Sequence, residues 1–287
     1  MILIRVILFG CLLIFNQLFS GDSEVKQLRI ASYNIWNPVF EAKYAGTDTR
    51  KTRLPQIVDV IRDANPDVIC LQEVSLDCYS DLMDVLGTED RYLSFYHPHG
   101  ISSSNYPEGR DGLAIFVKPY LVDHIQLHTS KGTQRPTHRR DLWIDVQIPK
   151  LGKNIRIATT HLDSSKNLDL GNSQLTNLLR DVQEDCDAIS FIVVCGDFNE
   201  GEGETERPRA WIMEKFGFLT DGSIDSTRPE ALDVRHKGHV DWIYFRKIDE
   251  SLEASVHAAE PLGDERASDH KLIYTDFHFV EHLNLSR

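Results

Sequence analysis

The sequence predicts an α/β domain in which two packed β-sheets carry helices on their outer faces. Strand-like runs fall in two groups, each mixed with amphipathic helical stretches, and such a mixture buries its apolar faces as sheet on sheet with helices outside. Some runs alternate apolar and polar residues and others are continuously apolar, as expected of strands covered on one face or on both. No Pro/Gly/Ser-rich linker and no repeat of fixed period interrupts the interior of the 287 residues, so residues 28–280 read as one domain.

From the N-terminus, residues 28–33 alternate and form a strand that delivers Asn34 to a sheet edge. Leu54, Ile57, Val58 and Ile61 recur at helical spacing, and Asn65 and Pro66 stop that helix before a buried strand at 67–71, which ends at Gln72 and Glu73. Residues 77–86 form a second helix with Gly87 as its stop, followed by a strand at 92–96. The Pro/Gly/Ser-containing loop at 97–110 opens onto a strand at 113–117. Residues 142–148 alternate strictly, and a turn at 150–154 returns the chain through 155–160 as a hairpin ending at His161. Leu175, Leu178, Leu179 and Val182 mark another helix, and 191–195 is a continuous apolar strand ending at Gly196 and Asp197. A helix at 209–216 and strands at 240–245 and 272–279 complete the domain. Polar residues recur at strand ends, where a rigid scaffold builds its sites.

Residues 1–20 stand apart. One charge, Arg5, precedes an apolar run at 6–15 and a small residue, Ser20, which is the layout of a secretory signal peptide. A retained signal anchor is the alternative, because Leu18 and Phe19 make a poor cleavage site. Secretion changes how the cysteines read. With Cys11 in the leader, Cys70, Cys78, Cys186 and Cys195 remain, at spacings unlike any zinc site. Cys70 and Cys195 lie in apolar runs and read as buried thiols, while the pairing of Cys78 and Cys186 stays open. A glycosylation sequon occupies Asn284, Leu285 and Ser286. Acidic residues outnumber basic ones by 44 to 31, a net charge of −13, which argues against a broad basic face for nonspecific duplex nucleic acid.

Five short stretches are chemically richer than a structural role demands: Tyr33-Asn34-Ile35-Trp36, Leu71-Gln72-Glu73-Val74, Thr160-His161-Leu162-Asp163, Gly196-Asp197-Phe198-Asn199 and Ser268-Asp269-His270. Singly each is weak, since an Asn after a strand is usually a turn former and a His usually a satisfied core or surface group. Gln72 is read equally well as a hydrogen-bonding neighbour of a metal shell and as an ordinary strand-end amide.

Together with His239, Val240, Asp241, Trp242 and Ile243, and in this order, the stretches resemble the endonuclease/exonuclease/phosphatase superfamily across about residues 28–279. The resemblance implies a deoxyribonuclease I-like four-layer α/β/β/α sandwich with mainly antiparallel sheets. It also implies phosphoester hydrolysis by Mg²⁺-assisted in-line attack of an activated water, with Mn²⁺ as a substitute. Hard oxygen ligands suit such an ion, which takes one or two carboxylates and keeps several waters. By the same resemblance Glu73 is the main metal carboxylate, Asn34 supplies an amide oxygen, and Asp269 helps from the other side. Asp197 orients or deprotonates the water and Asn199 steadies it or the phosphate. His161 and His270 are paired donors to the phosphoryl oxygens, and His270 is held by Asp241, whose charge favours the imidazolium.

Tyrosyl-DNA phosphodiesterase 2-like and deadenylase-like branches look nearest, and Asp111 resembles a strand-entry residue of deadenylase-like members. The chain departs from the tyrosyl-DNA branch at Asp163, where that branch favours Glu, and at Phe198, where it has Thr. Arg135, His138, Arg139 and Arg140 form a basic patch suited to phosphate contact. The partner expected is a phosphoester substrate: extracellular nucleic acid, a phospholipid headgroup or a small phosphodiester. No stable protein partner is evident and a monomer is expected. The competing class is a non-catalytic phosphoester-binding module of the same fold.

Overall fold

The computed structural model describes residues 26–37, 50–99, 111–121, 125–130, 139–148, 152–163, 168–200, 208–220, 240–263 and 266–281. The expected leader with Cys11, the sequon, Arg135, His138, His239 and most of the 97–110 loop lie outside these residues.

In chain order the strands are β1 (Lys26–Asn34), β2 (Val68–Gln72), β3 (Leu93–Pro98), β4 (Gly112–Val117), β5 (Ile125–Thr129), β6 (Leu142–Ile148), β7 (Lys153–His161), β8 (Ile189–Asp197), β9 (Asp241–Lys247), β10 (Leu252–Ala258) and β11 (Ile273–Glu281). They form a six-stranded sheet, β10-β11-β1-β2-β4-β3, and a five-stranded sheet, β5-β6-β7-β8-β9. Every neighbouring pair is antiparallel except β1 with β2 and β7 with β8. A parallel pair needs a crossover, and helices supply it: α1 (Arg50–Ala64) between β1 and β2, and α3 (Leu168–Asp181) between β7 and β8. Two further α-helices among the described residues are α2 (Leu76–Leu82) and α4 (Pro208–Lys215).

Alternation along the strands divides the side chains among three apolar layers. Leu28, Ile30, Val68, Cys70 and Ile115 of one sheet meet Ile144, Ile157, Phe191, Val193 and Cys195 of the other between the sheets. Ala31, Tyr33, Ile69, Leu71 and Phe116 face outward onto Ile57, Val58 and Ile61 of α1 and Leu82 of α2. Ala158, Ile192 and Val194 face outward onto Leu175, Leu178 and Leu179 of α3 and Met213 of α4. The result is the helix/sheet/sheet/helix sandwich expected. Cys70 and Cys195 are buried thiols, as their apolar runs predicted, and no disulfide joins Cys78 to Cys186 among the described residues.

At one end of the inner layer, Gln72 crosses between the sheets and donates from Nε2 to Thr159 Oγ1 at 2.9 Å. Gln72 thus serves a structural role through its amide nitrogen. Burial of each large apolar side chain contributes roughly 1.5–3 kcal/mol against a net of about 1 kcal/mol for such a hydrogen bond. Apolar contact holds the sheets together, and the polar tie sets their register.

Three elements differ from expectation. The second helix starts where Ser75 accepts a hydrogen bond from Cys78 N, but it does not stop at Gly87. It continues as a π-helical turn, Met83–Glu89, because Gly87 does not take up a positive φ; Arg91 does, at 60°, and Tyr92 N then returns to Leu86 O at 2.9 Å. Strands β5 and β10 were not expected. Both lie at sheet edges and stay partly exposed, so neither carries a continuous apolar run.

Candidate active site

Strand register brings the chemically rich stretches to one rim. Asn34 ends β1 opposite Gln72 at the end of β2, and His161 ends β7 opposite Asp197 at the end of β8. Asp197 in turn pairs with Asp241, the first residue of β9. Both parallel pairs thus point their C-terminal ends the same way, one from each sheet, and the approach to β11 adds Asp269 and His270.

Backbone conformation at these ends is specialised. Gly196 has φ 145°, and a Cβ there would lie 2.0 Å from Thr160 O, so only glycine lets β8 run this close to β7 immediately before Asp197. Trp36, Glu73 and Asn199 are left-handed, at φ 50°, 59° and 51°. Asn tolerates this region, whereas Trp and Glu adopt it at a cost that usually marks a functional position. Arg53 of α1, which sequence analysis did not single out, braces the turn: its guanidinium donates to Ile35 O at 2.6 Å and to Ala267 O at 2.7 Å, tying the Asn34 segment to the Asp269 segment.

Asp197 Oδ2 is the hub. Asn34 Nδ2 donates to it at 3.0 Å, while His161 Nε2 lies 3.6 Å away and His270 Nε2 3.7 Å away. Its other oxygen accepts from Asn199 N at 2.8 Å, and Asn199 Nδ2 donates to Leu162 O at 2.8 Å. Glu73 is held on both oxygens, by Asn34 Nδ2 at 3.1 Å and by Asn37 N at 2.9 Å, and stands 4.0 Å from His161 Nε2. Asn34 thus turns its nitrogen toward the two carboxylates and its oxygen toward Trp36 N, at 2.9 Å. The expected amide-oxygen ligation requires the opposite face of that amide.

His270 is 2% exposed and Asp241 fully buried, and His270 Nδ1 donates to Asp241 Oδ2 at 2.8 Å. Burial opposes the imidazolium, but the Asp241 carboxylate, helped by Asp269 and Asp197, outweighs it and raises the His270 pKa to about 10. Asp269 Oδ1 lies 3.8 Å from His270 Nε2.

A second corner adjoins His161. Arg139 Nη1 donates to His161 Nδ1 at 2.7 Å and lies 3.7 Å from Asp111 Oδ2. Arg140 N donates to His99 Nδ1 at 2.9 Å, and the buried His99 ring meets that of His161 edge-on at 6.4 Å. His99 was read only as part of a loop, and nothing in its neighbourhood of sequence sets it apart. The structure therefore gathers Asn34, Glu73, His161, Asp197, Asn199, Asp241, Asp269 and His270 at one rim, with Asp111 and Arg139 beside them.

Two side-chain sets bring potential ligand atoms within 4.8 Å of one another: His99, Asp111 and His161, and Asp197, Asp241 and His270. Neither suits a metal through its histidines. His99 Nδ1 and His161 Nδ1 already accept N–H donors, and His270 Nδ1 is committed to Asp241 Oδ2. The carboxylates of Glu73, Asp197 and Asp269 at the same rim are hard oxygen donors of the kind a divalent cation takes, and Asn34 joins them only with its amide turned so that Oδ1 replaces Nδ2.

The profile of the Endonuclease/Exonuclease/phosphatase family matches residues 31–270, a span that includes every residue from Asn34 to His270 named above. Nocturnin of Drosophila melanogaster is 32% identical over 159 residues, which cover 50% of this chain and 23% of that protein. The human Nocturnin catalytic domain with bound sulfate has a TM-score of 0.65 at 21% identity, covering 90% of this chain and 98% of that one. ANGEL2, a 2′,3′-cyclic phosphatase, has a TM-score of 0.67 at 19% identity, with 88% and 95% covered. D. rerio TDP2 complexed with single-strand DNA product has a TM-score of 0.64 at 20% identity, with 88% and 99% covered. Identities this low establish a common fold.

Proposed function

The chain belongs to the Endonuclease/Exonuclease/phosphatase family of metal-dependent phosphoester hydrolases, and from that premise we propose that it is a secreted, Mg²⁺-dependent phosphodiesterase. The observation that carries this reading is the convergence of Asn34, His161 and His270 on one oxygen of Asp197, with Glu73 alongside.

A bound divalent cation supplies Lewis-acid withdrawal of charge from a non-bridging phosphoryl oxygen. Glu73 and Asp269 would hold it by their carboxylates and Asn34 by its amide, a set suited to Mg²⁺ with Mn²⁺ as a substitute. Asp197, fixed through Oδ1 by Asn199 N–H, orients a water for in-line attack and takes its proton at Oδ2. His270, charged and locked by Asp241, donates from Nε2 to a phosphoryl oxygen. His161 donates from the opposite side, and preorganised donors of this kind are each worth about 3 kcal/mol in the transition state.

The 1–20 leader supports export, and the net charge of −13 disfavours tight nonspecific duplex binding. The neighbours described with a DNA product and as a 2′,3′-cyclic phosphatase put nucleotide esters first in a substrate panel, ahead of sphingomyelin and other small phosphodiesters. The test is hydrolysis of bis(4-nitrophenyl) phosphate by the secreted protein. Turnover that needs Mg²⁺ or Mn²⁺ and disappears in Asp197→Ala and His270→Ala is expected. Binding without turnover across DNA, RNA, sphingomyelin and nucleotide esters would make the chain a phosphoester-binding module instead.

A further inference from the structure

We infer that Arg139 is a positioning residue, which keeps the Nδ1 nitrogen of His161 bare and its proton on Nε2, so that His161 meets the phosphoryl group as a neutral donor. The proton placement stands on geometry alone; its catalytic consequence rests on the phosphodiesterase reading. A guanidinium has five N–H donors and no acceptor. With Arg139 Nη1 at 2.7 Å from His161 Nδ1, the ring nitrogen must contribute the lone pair, and the ring proton resides on Nε2. That nitrogen faces Asp197 Oδ2 at 3.6 Å and Glu73 Oε1 at 4.0 Å, the side on which a scissile phosphate would lie.

Chain geometry delivers Arg139 to this place. It lies three residues before Leu142, which pairs with Thr159 two residues before His161. Asp141 Oδ1 accepts from Thr160 Oγ1 at 2.7 Å, pinning that register. Arg140 N is anchored on His99 Nδ1, and His99 N donates to Asp111 O at 3.0 Å. Asp111 Oδ2, 3.7 Å from the guanidinium, balances its charge. The same carboxylate belongs to the set with ligand atoms within 4.8 Å of the His161 ring, so removing the guanidinium would leave Asp111 as an acceptor for a proton on Nδ1. Arg139 is thus committed to the histidine, rather than aimed at a phosphate as the basic patch in the sequence suggested.

The test reads the nitrogen directly. Long-range ¹H–¹⁵N spectra of histidine-labelled protein, without metal or substrate, should show His161 Nδ1 bare in the wild type and in Arg139→Lys, which also offers only donors, and protonated in Arg139→Leu. Kinetics with bis(4-nitrophenyl) phosphate should show a kcat for Arg139→Leu that falls roughly tenfold as the ring loses its orienting bond, with KM changed less than about threefold. Arg139→Lys should restore most of that loss. A protonated Nδ1 in the wild type, or a bare Nδ1 in Arg139→Leu, overturns the inference, as does a rise in KM at unchanged kcat. If the spectra behave as expected while no variant turns over any ester, the proton placement holds and the hydrolase reading is the one that fails.

Discussion

His161 and His270 stand at nearly equal distances from Asp197 Oδ2, 3.6 and 3.7 Å, yet opposite charges hold them. His270 gives its Nδ1 proton to the buried Asp241 carboxylate, whereas His161 takes a proton donor from Arg139 at the same ring position. One ring is therefore a cation and the other a neutral donor, although both direct Nε2 at the same oxygen. The partner on the far nitrogen, and not the residue type, decides what each imidazole can do.

The largest expected effect comes from removing what the two rings share. Asp197→Asn keeps shape but not basicity, and kcat should fall by about 10²–10⁴-fold with apparent metal affinity nearly unchanged. A variant within a few fold of wild type would mean that the histidines do not serve one centre. Asp241→Asn addresses the cationic side alone. In the metal-free protein His270 should titrate near pH 10, and in the variant nearer its ordinary value. A pKa raised on folding stabilises the protein fully below the unfolded value, about 6.5, and that contribution fades as pH rises through about 10. The thermal stability gap between wild type and Asp241→Asn should accordingly narrow across that interval; a gap constant with pH would show that His270 is not the cationic member. The smallest effect on chemistry is expected from Glu73→Gln, which leaves both histidines in place. It should weaken apparent Mg²⁺ affinity by about tenfold or more while kcat recovers at saturating metal. Loss of rate without loss of affinity would exchange the roles of Glu73 and Asp197.

Much of this was legible in the sequence because the functional residues follow the runs that build the sheets. Asn34, His161 and Asp197 each end a strand whose apolar pattern is strong, so their placement at one rim came with the fold. Strands β5 and β10 were missed because an edge strand is half solvated and its pattern weak, and the π-helical turn was missed because Gly87 looked like a stop. The atom-level contacts were not legible. Which face Asn34 turns toward Glu73, and which nitrogen of His161 meets Arg139, depend on hydrogen bonds between segments far apart in the chain. Arg53 and His99 gave no sequence signal, since each acts through backbone groups of other segments.

Two of the hydrogen bonds described above join one sheet to the other, Asn34 to Asp197 and Gln72 to Thr159, and a third ties His270, on the approach to β11, to Asp241 of β9. All three lie at the end where the reacting groups gather. The molecule is bound like a book, with polar stitching along one margin and apolar pages beyond it. The same bonds that align the reacting groups therefore also tie the two halves of the sandwich together where those groups sit.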